Sequence, residues 1–142
     1  MKRLLFFLFI ALAILSLNSC DIDDGPNFNF VSLQIVDVEV PESFTLNETH
    51  VIKVTYLRPN GCTSFQGFDI AKPDVTVRNV VAIGAVRTDL VCTEETETVE
   101  TSFRFIALFS DTYLFQFWTG EDADGNPEYL EIEVPVNQEQ TN

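Results

Sequence analysis

The chain has 142 residues, 46% of them hydrophobic, with 22 acidic side chains against 8 basic ones and a formal net charge of −14. Two of the basic residues, Lys2 and Arg3, stand at the start; without them six face 22, a net of −16. So acidic a chain repels phosphate backbones and anionic headgroups, which argues against nucleic acid and against an electrostatic hold on anionic lipid. It suits an exported domain, a cationic partner or a divalent ion.

Met1-Lys2-Arg3 is a short basic start, and Leu4 to Leu17 is almost wholly apolar. A run of about 14 residues is shorter than the ~20 of a membrane span and reads as a secretory signal. It stops at Cys20. The quartet Leu17-Asn18-Ser19-Cys20 resembles the bacterial lipobox, an aliphatic residue and two small ones before cysteine, with the larger Asn18 in one of the small positions. The resemblance implies that residues 1–19 are a lipoprotein signal peptide. Cys20 would then be the first mature residue, carrying a thioether-linked lipid and an amide-linked acyl chain. One acyl chain holds a protein only marginally, and two or three hold it stably. The alternative is an ordinary signal peptide with an incidental cysteine.

Asp21-Ile22-Asp23-Asp24 follows at once, and Gly25-Pro26 breaks any regular structure. Residues 20–29 therefore read as an irregular tether that reaches about 30 Å when extended. The acids resemble the export signals behind the cysteine of Bacteroidetes lipoproteins, which would send the protein to the cell surface. A solvated spacer explains them equally.

Three cysteines are an odd number for an exported protein. With Cys20 given to lipid, Cys62 and Cys92 remain, and an oxidising compartment favours their pairing. The closed loop of about 31 residues gives roughly 3–4 kcal/mol in the chain-entropy model. Zinc needs about four ligands, and His50 is the only histidine.

Residues 30–137 form one domain of ordinary single-domain size, followed by a polar tail, 138–142. Its patterning has period two throughout. Val31, Leu33 and Ile35 alternate; Val36, Val38 and Val40 then alternate in the opposite phase, which predicts a bulge or a change of sheet. Strands are expected over about 30–40, 50–57, 64–70, 75–87, 98–109, 112–119 and 128–136, with turns at Pro59-Asn60-Gly61 and Asp124-Gly125. No stretch after the leader keeps helical spacing, so the class is all-β, a sandwich or barrel.

Asp111-Thr112-Tyr113-Leu114-Phe115 places a turn before Tyr-x-apolar. This resembles the tyrosine corner of immunoglobulin-like and fibronectin-like sandwiches. The resemblance implies a single antiparallel sandwich of about seven strands. Trp118 and the cysteines do not fall where antibody domains carry their Trp and disulfide. In an up-and-down order the connections holding Cys62 and Cys92 meet at one end, together with the loop Gly120 to Pro127.

That loop, Gly120-Glu121-Asp122-Ala123-Asp124-Gly125-Asn126, is the best chemical candidate. Calcium takes several carboxylate and carbonyl oxygens from a short loop, here Asp122, Asp124 and Asn126. On the EF-hand pattern Asp122, Asp124, Gly125 and Glu131 match, while Gly120 stands at the first ligand position and Pro127 at the eighth. The plainer reading is an acidic hairpin turn built on Asp-Gly, with no cofactor. Trp118 is expected on the outward phase of its strand, where it would stack on a sugar, bury in a partner or cover a sheet face. Asn47-Glu48-Thr49 matches a glycosylation sequon that a bacterial leader makes irrelevant.

No spacing marks a catalytic set. His50 stands alone at a strand start, and Glu131 and Glu133 fall on an exposed phase. The expectation is a non-enzymatic, lipid-anchored interaction module of the bacterial envelope, bound to the outer membrane through Cys20 and to an unknown envelope protein as an accessory subunit. The alternative is a glycan- or calcium-binding surface module. A small hydrolase, or an inhibitor of one, comes third.

Overall fold

The computed structural model describes residues 27–137, which form ten strands and no helix. The expectations for the signal peptide, Cys20 and its lipid, residues 21–26 of the tether, and the tail 138–142 lie outside the described residues. Among the described residues no helix is long and apolar enough to cross a membrane.

The strands are β1 (Phe28–Leu33), β2 (Ile35–Glu39), β3 (Phe44–Thr45), β4 (Thr49–Arg58), β5 (Thr63–Ala71), β6 (Val77–Arg87), β7 (Glu97–Ile106), β8 (Tyr113–Glu121), β9 (Pro127–Val134) and β10 (Val136–Asn137). They make a five-stranded sheet of β1, β5, β6, β8 and β9, a three-stranded sheet in the order β2-β4-β7, and a short β3–β10 pair. The arrangement is sandwich-like. Alternate residues of the two larger sheets meet in one core that includes Leu33, Ile35, Ile52, Val54, Val80, Phe115 and Phe117, and Phe44 of the short pair joins it.

The phase change in the first strand has two physical parts. The chain changes sheet at Gln34, so that Leu33 pairs with Ala82 of β6 and Ile35 with Tyr56 of β4. A register shift then lies between Ile35 and Asp37, which leaves Val36 exposed and turns Val38 toward the core. One expected strand is therefore two. The β3–β10 pair, whose strands have only two residues each, is too short to leave a periodic signal.

The expected antiparallel order needs correction. β6 and β8 pair in parallel, Val77 opposite Leu114 through Val80 opposite Phe117, and so do β3 and β10. From β4 to β9 the strands do run up and down by turns. But β7 lies in the other sheet, against β4. Its removal leaves β6 and β8 as neighbours that point the same way. β1 occupies the upper half of the same β6 edge, antiparallel, from Phe28 opposite Arg87 to Leu33 opposite Ala82.

The up direction of β6 defines an upper end, where the β4–β5, β6–β7 and β8–β9 connections and Asn27 lie. At the lower end an aromatic cluster closes the core. Phe105 lies 5.0 Å from Tyr113 and 5.1 Å from Phe115, and Phe44 lies 5.1 Å from Phe105, all ring to ring. The Tyr113 hydroxyl accepts from the backbone N–H groups of Leu108 (3.1 Å) and Phe109 (3.2 Å), which fixes the β7–β8 corner. Arg78 is buried with its guanidinium 5.2 Å from the Tyr113 ring centre. Its Nη1 donates to the carbonyls of Asp74, Val75 and Val77.

Candidate functional site

The upper end carries the features that sequence reasoning singled out. Pro59, Asn60 and Gly61 turn the chain after β4. Asn60 Oδ1 accepts from Cys62 N (3.1 Å) and Thr63 Oγ1 (2.8 Å), an Asx-type turn of the kind Asn-Gly favours. The opposing loop is zipped to it by Gly61 N–H to Thr93 O (3.1 Å) and Thr96 Oγ1 to Pro59 O (3.4 Å). Cys62 and Cys92 form a disulfide across these loops, with Cα atoms 5.4 Å apart. The alternation of strand direction brings them together, as the sequence argument required.

Beside this joint the two sheets part. β1 leaves the five-stranded sheet through Ser32, Leu33 and Gln34 to become β2. The top of β8 bends away at a register shift between Trp118 and Gly120. A groove of about 340 Å³ opens there, lined by the crossover, by Leu57, Pro59 and Thr96, and by Trp118 and Gly120. Leu57 N–H donates to Gln34 O (2.9 Å), so the groove wall is a backbone-pinned crossover. Trp118 is half-buried and sits opposite Tyr129 of β9. It follows the buried Phe117 in β8 and forms part of the groove wall.

The β8–β9 turn starts from the same end, but its carboxylates serve the turn itself. Asp122 Oδ1 accepts from Asp124 N (2.9 Å) and Asn126 N (2.9 Å), and Oδ2 accepts from Asn126 Nδ2 (3.0 Å). These donors, the Asn126 side chain first, hold the Asp122 carboxyl below its ordinary 3.8. Gly125 adopts φ 81°, which explains the glycine of the Asp-Gly pair. Glu131, the would-be last calcium ligand, pairs instead with Gln116 across the sheet at 2.6 Å. Asp122, Asp124 and Asn126 are thus together, and Glu131 belongs to a ladder outside the turn. Among the described residues no group of three or more His, Cys, Asp or Glu side chains is placed to hold a metal ion.

His50 lies at the other end of the molecule. Its Nε2 accepts from Thr45 N–H at 2.9 Å, and its ring packs 4.9 Å from Phe44, so it pins β3 to β4. A second, shallower depression of about 240 Å³ lies at the β5 bulge, against Gln66, Gly67, Phe68, Asp69 and Ile83, with Asp69 its single acid.

Sequence reasoning missed the groove lining other than Trp118 and Gly120, because the residues come from both sheets. It also missed a set of exposed apolar residues at the upper end: Phe28, Phe30, Leu90 and Val91. Part of that signal was readable. Phe28 and Phe30 alternate in the phase opposite to the buried Leu33 of the same strand. Comparison with protein-family models, with curated proteins and with solved structures gives no match to this chain.

Proposed function

We propose that this chain is a lipid-anchored, non-enzymatic interaction module of the bacterial envelope, an accessory subunit of an outer-membrane assembly held through Cys20. The observation that carries the reading is the Leu17-to-Cys20 quartet, seven residues ahead of Asn27, where the β domain begins. The groove beside the disulfide joint supports a binding role, since its lining sets the Trp118 ring beside the polar side chains of Ser32, Gln34 and Thr96. A glycosidase would use two acids across a cleft, and neither depression supplies them. The immunoglobulin-like family remains part of the proposal. The Tyr113 corner speaks for it, and the parallel β6–β8 pair departs from it.

Cross-linking in intact native cells, followed by mass spectrometry, tests the reading. A specific envelope protein recovered with the chain is the expected result. Recovery of no specific partner would remove the accessory-subunit role.

A second reading is a glycan-binding module, favoured by Trp118 in the wall of a groove with Ser32, Gln34 and Thr96 as polar partners. Binding of an oligosaccharide in calorimetry, abolished in Trp118→Ala, would establish it. Its calcium version requires ions to displace the Asn126 and Asp124 donors from Asp122. Heat on adding Ca²⁺ that disappears in the Asp122→Ala/Asp124→Ala double variant is its test.

A further inference from the structure

Of the large apolar side chains exposed on the domain, four lie at the upper end where the described chain begins, while Val75, Ile106, Leu108 and Phe109 are exposed at the lower end. Phe28 is 46% exposed, Phe30 73%, Leu90 50%, and Val91 fully. Their proximity follows from the backbone. Phe28 pairs with Arg87, and Thr88 donates from its N–H to Asn27 O at 3.1 Å. The loop carrying Leu90 and Val91 therefore leaves β6 beside the start of β1 and runs toward the β5 side, where the disulfide ties Cys92 to Cys62.

These residues are not left over from the core. The inward phase of β1 is filled by Leu33 and Val31, which pack against the core, while Phe28 and Phe30 take the other phase. Leu90 and Val91 lie in a loop outside any strand. The charge nearest the loop is neutralised locally, because Arg87 binds the Asp89 carboxylate through two nitrogens, at 3.0 and 2.7 Å. Glu94 and Glu95 stand exposed further along the same loop, before β7.

We infer that this apolar end is a membrane-docking tip, and that its partner is a zwitterionic lipid surface. The inference rests on the Cys20 anchor proposed above. Asn27 lies seven positions after Cys20, so a lipid on Cys20 holds the start of β1 within about 25 Å of the bilayer. At that distance an apolar tip meets headgroups continually, and burial of Phe, Leu and Val in the interface adds to the hold of the acyl chains. The surface is zwitterionic because Glu94, Glu95 and the net acidic domain are repelled by anionic lipid. Docking would fix the tilt of the domain and point the lower end away from the bilayer.

The test uses the full chain expressed in its native envelope, with Trp118→Phe as background and one new tryptophan at a time. Val91→Trp reports the upper end. Val51→Trp reports the outer face of β4 toward the lower end, where Val51 pairs with Arg104 and is itself 52% exposed. Purified protein is placed in phosphatidylcholine vesicles whose chains carry bromine as quencher. The mass of the N-terminal peptide is read on the same sample and decides the anchor separately. If Cys20 proves unacylated, its thiol is coupled to a maleimide lipid so that docking is still measured.

The expected result is that Val91→Trp loses about half of its emission or more while Val51→Trp is unchanged. Adding anionic lipid should reduce the effect, and Phe28→Ser/Phe30→Ser should abolish it without changing the mass of the anchored peptide. Equal quenching at both positions, or none at Val91→Trp on tethered protein, overturns the tip. A Val91→Trp signal that responds to protein concentration and not to bromolipid also overturns it, by making a second copy the occupant.

Discussion

At the lower end of the sandwich, rings from both sheets interlock, Tyr113 holds its own corner through two N–H groups, and Arg78 spends its Nη1 on backbone carbonyls. At the upper end the sheets part over a groove and loops are tied by a disulfide; apolar side chains reach solvent at both ends, Phe30 and Val91 above, Val75 and Leu108 below. The lower end is closed by packing, with the Tyr113 hydroxyl and Arg78 Nη1 engaged by backbone groups. The upper end is closed by a covalent bond and turn hydrogen bonds, which fix the backbone and leave side chains free. The two ends of one small domain are held by different interactions.

Breaking the lower end should cost most. Phe115→Ala removes a wholly buried ring between the sheets and should destabilise the domain by about 3–5 kcal/mol in urea denaturation. At the upper end, Cys62→Ser/Cys92→Ser should cost roughly 3–4 kcal/mol, in line with the loop closed across a sequence separation of 30. Reductant should lower the urea midpoint of the native chain and leave that of the double variant unchanged. The pair of variants sharpens the contrast: the first should loosen the core as a whole, while the second should raise hydrogen exchange most at residues 59–63 and 88–96.

Smaller effects follow. Tyr113→Phe keeps the ring and deletes the hydroxyl, leaving the Leu108 and Phe109 N–H groups without that acceptor. The expected loss is about 1–3 kcal/mol, with local exchange at the β7–β8 corner rising first. Acid should act on the β8–β9 turn. The folded Asp122 carboxyl is held below 3.8, so its contribution is fully present above that value and is lost as pH falls through the depressed folded value. Amide signals of Asp124 and Asn126 should shift in that acid range, and Asp122→Asn should remove the transition. A turn that opens instead near neutral pH would contradict the role given to Asp122.

Much of this was legible in the chain. Tyr113, Phe115 and Phe117 are buried as their alternation required, and Cys62 meets Cys92 because six successive strands reverse direction. The phase change after Ile35 correctly marked both a sheet change and a bulge. Other features had no local signal. The parallel β6–β8 pair depends on which sheet receives β7, and a strand with one polar and one apolar face suits either sheet. Asp122 fits a calcium loop by residue type, and only its hydrogen bonds show the carboxylate engaged by its own turn.

The sequence by itself determined what period and composition can encode: an acidic all-β domain after an apolar run, the faces of most strands, and the reversal of the chain between successive strands. These are local properties, because side-chain alternation and turn residues act over a few positions. Tertiary structure decided which strands became neighbours. It thereby decided that Gln34, Leu57, Thr96 and Trp118 share a groove, and that Phe28 and Val91 are exposed at the same end. The reason is that pairing between distant strands is chosen by the fit of the whole core, and no short stretch of chain carries that fit.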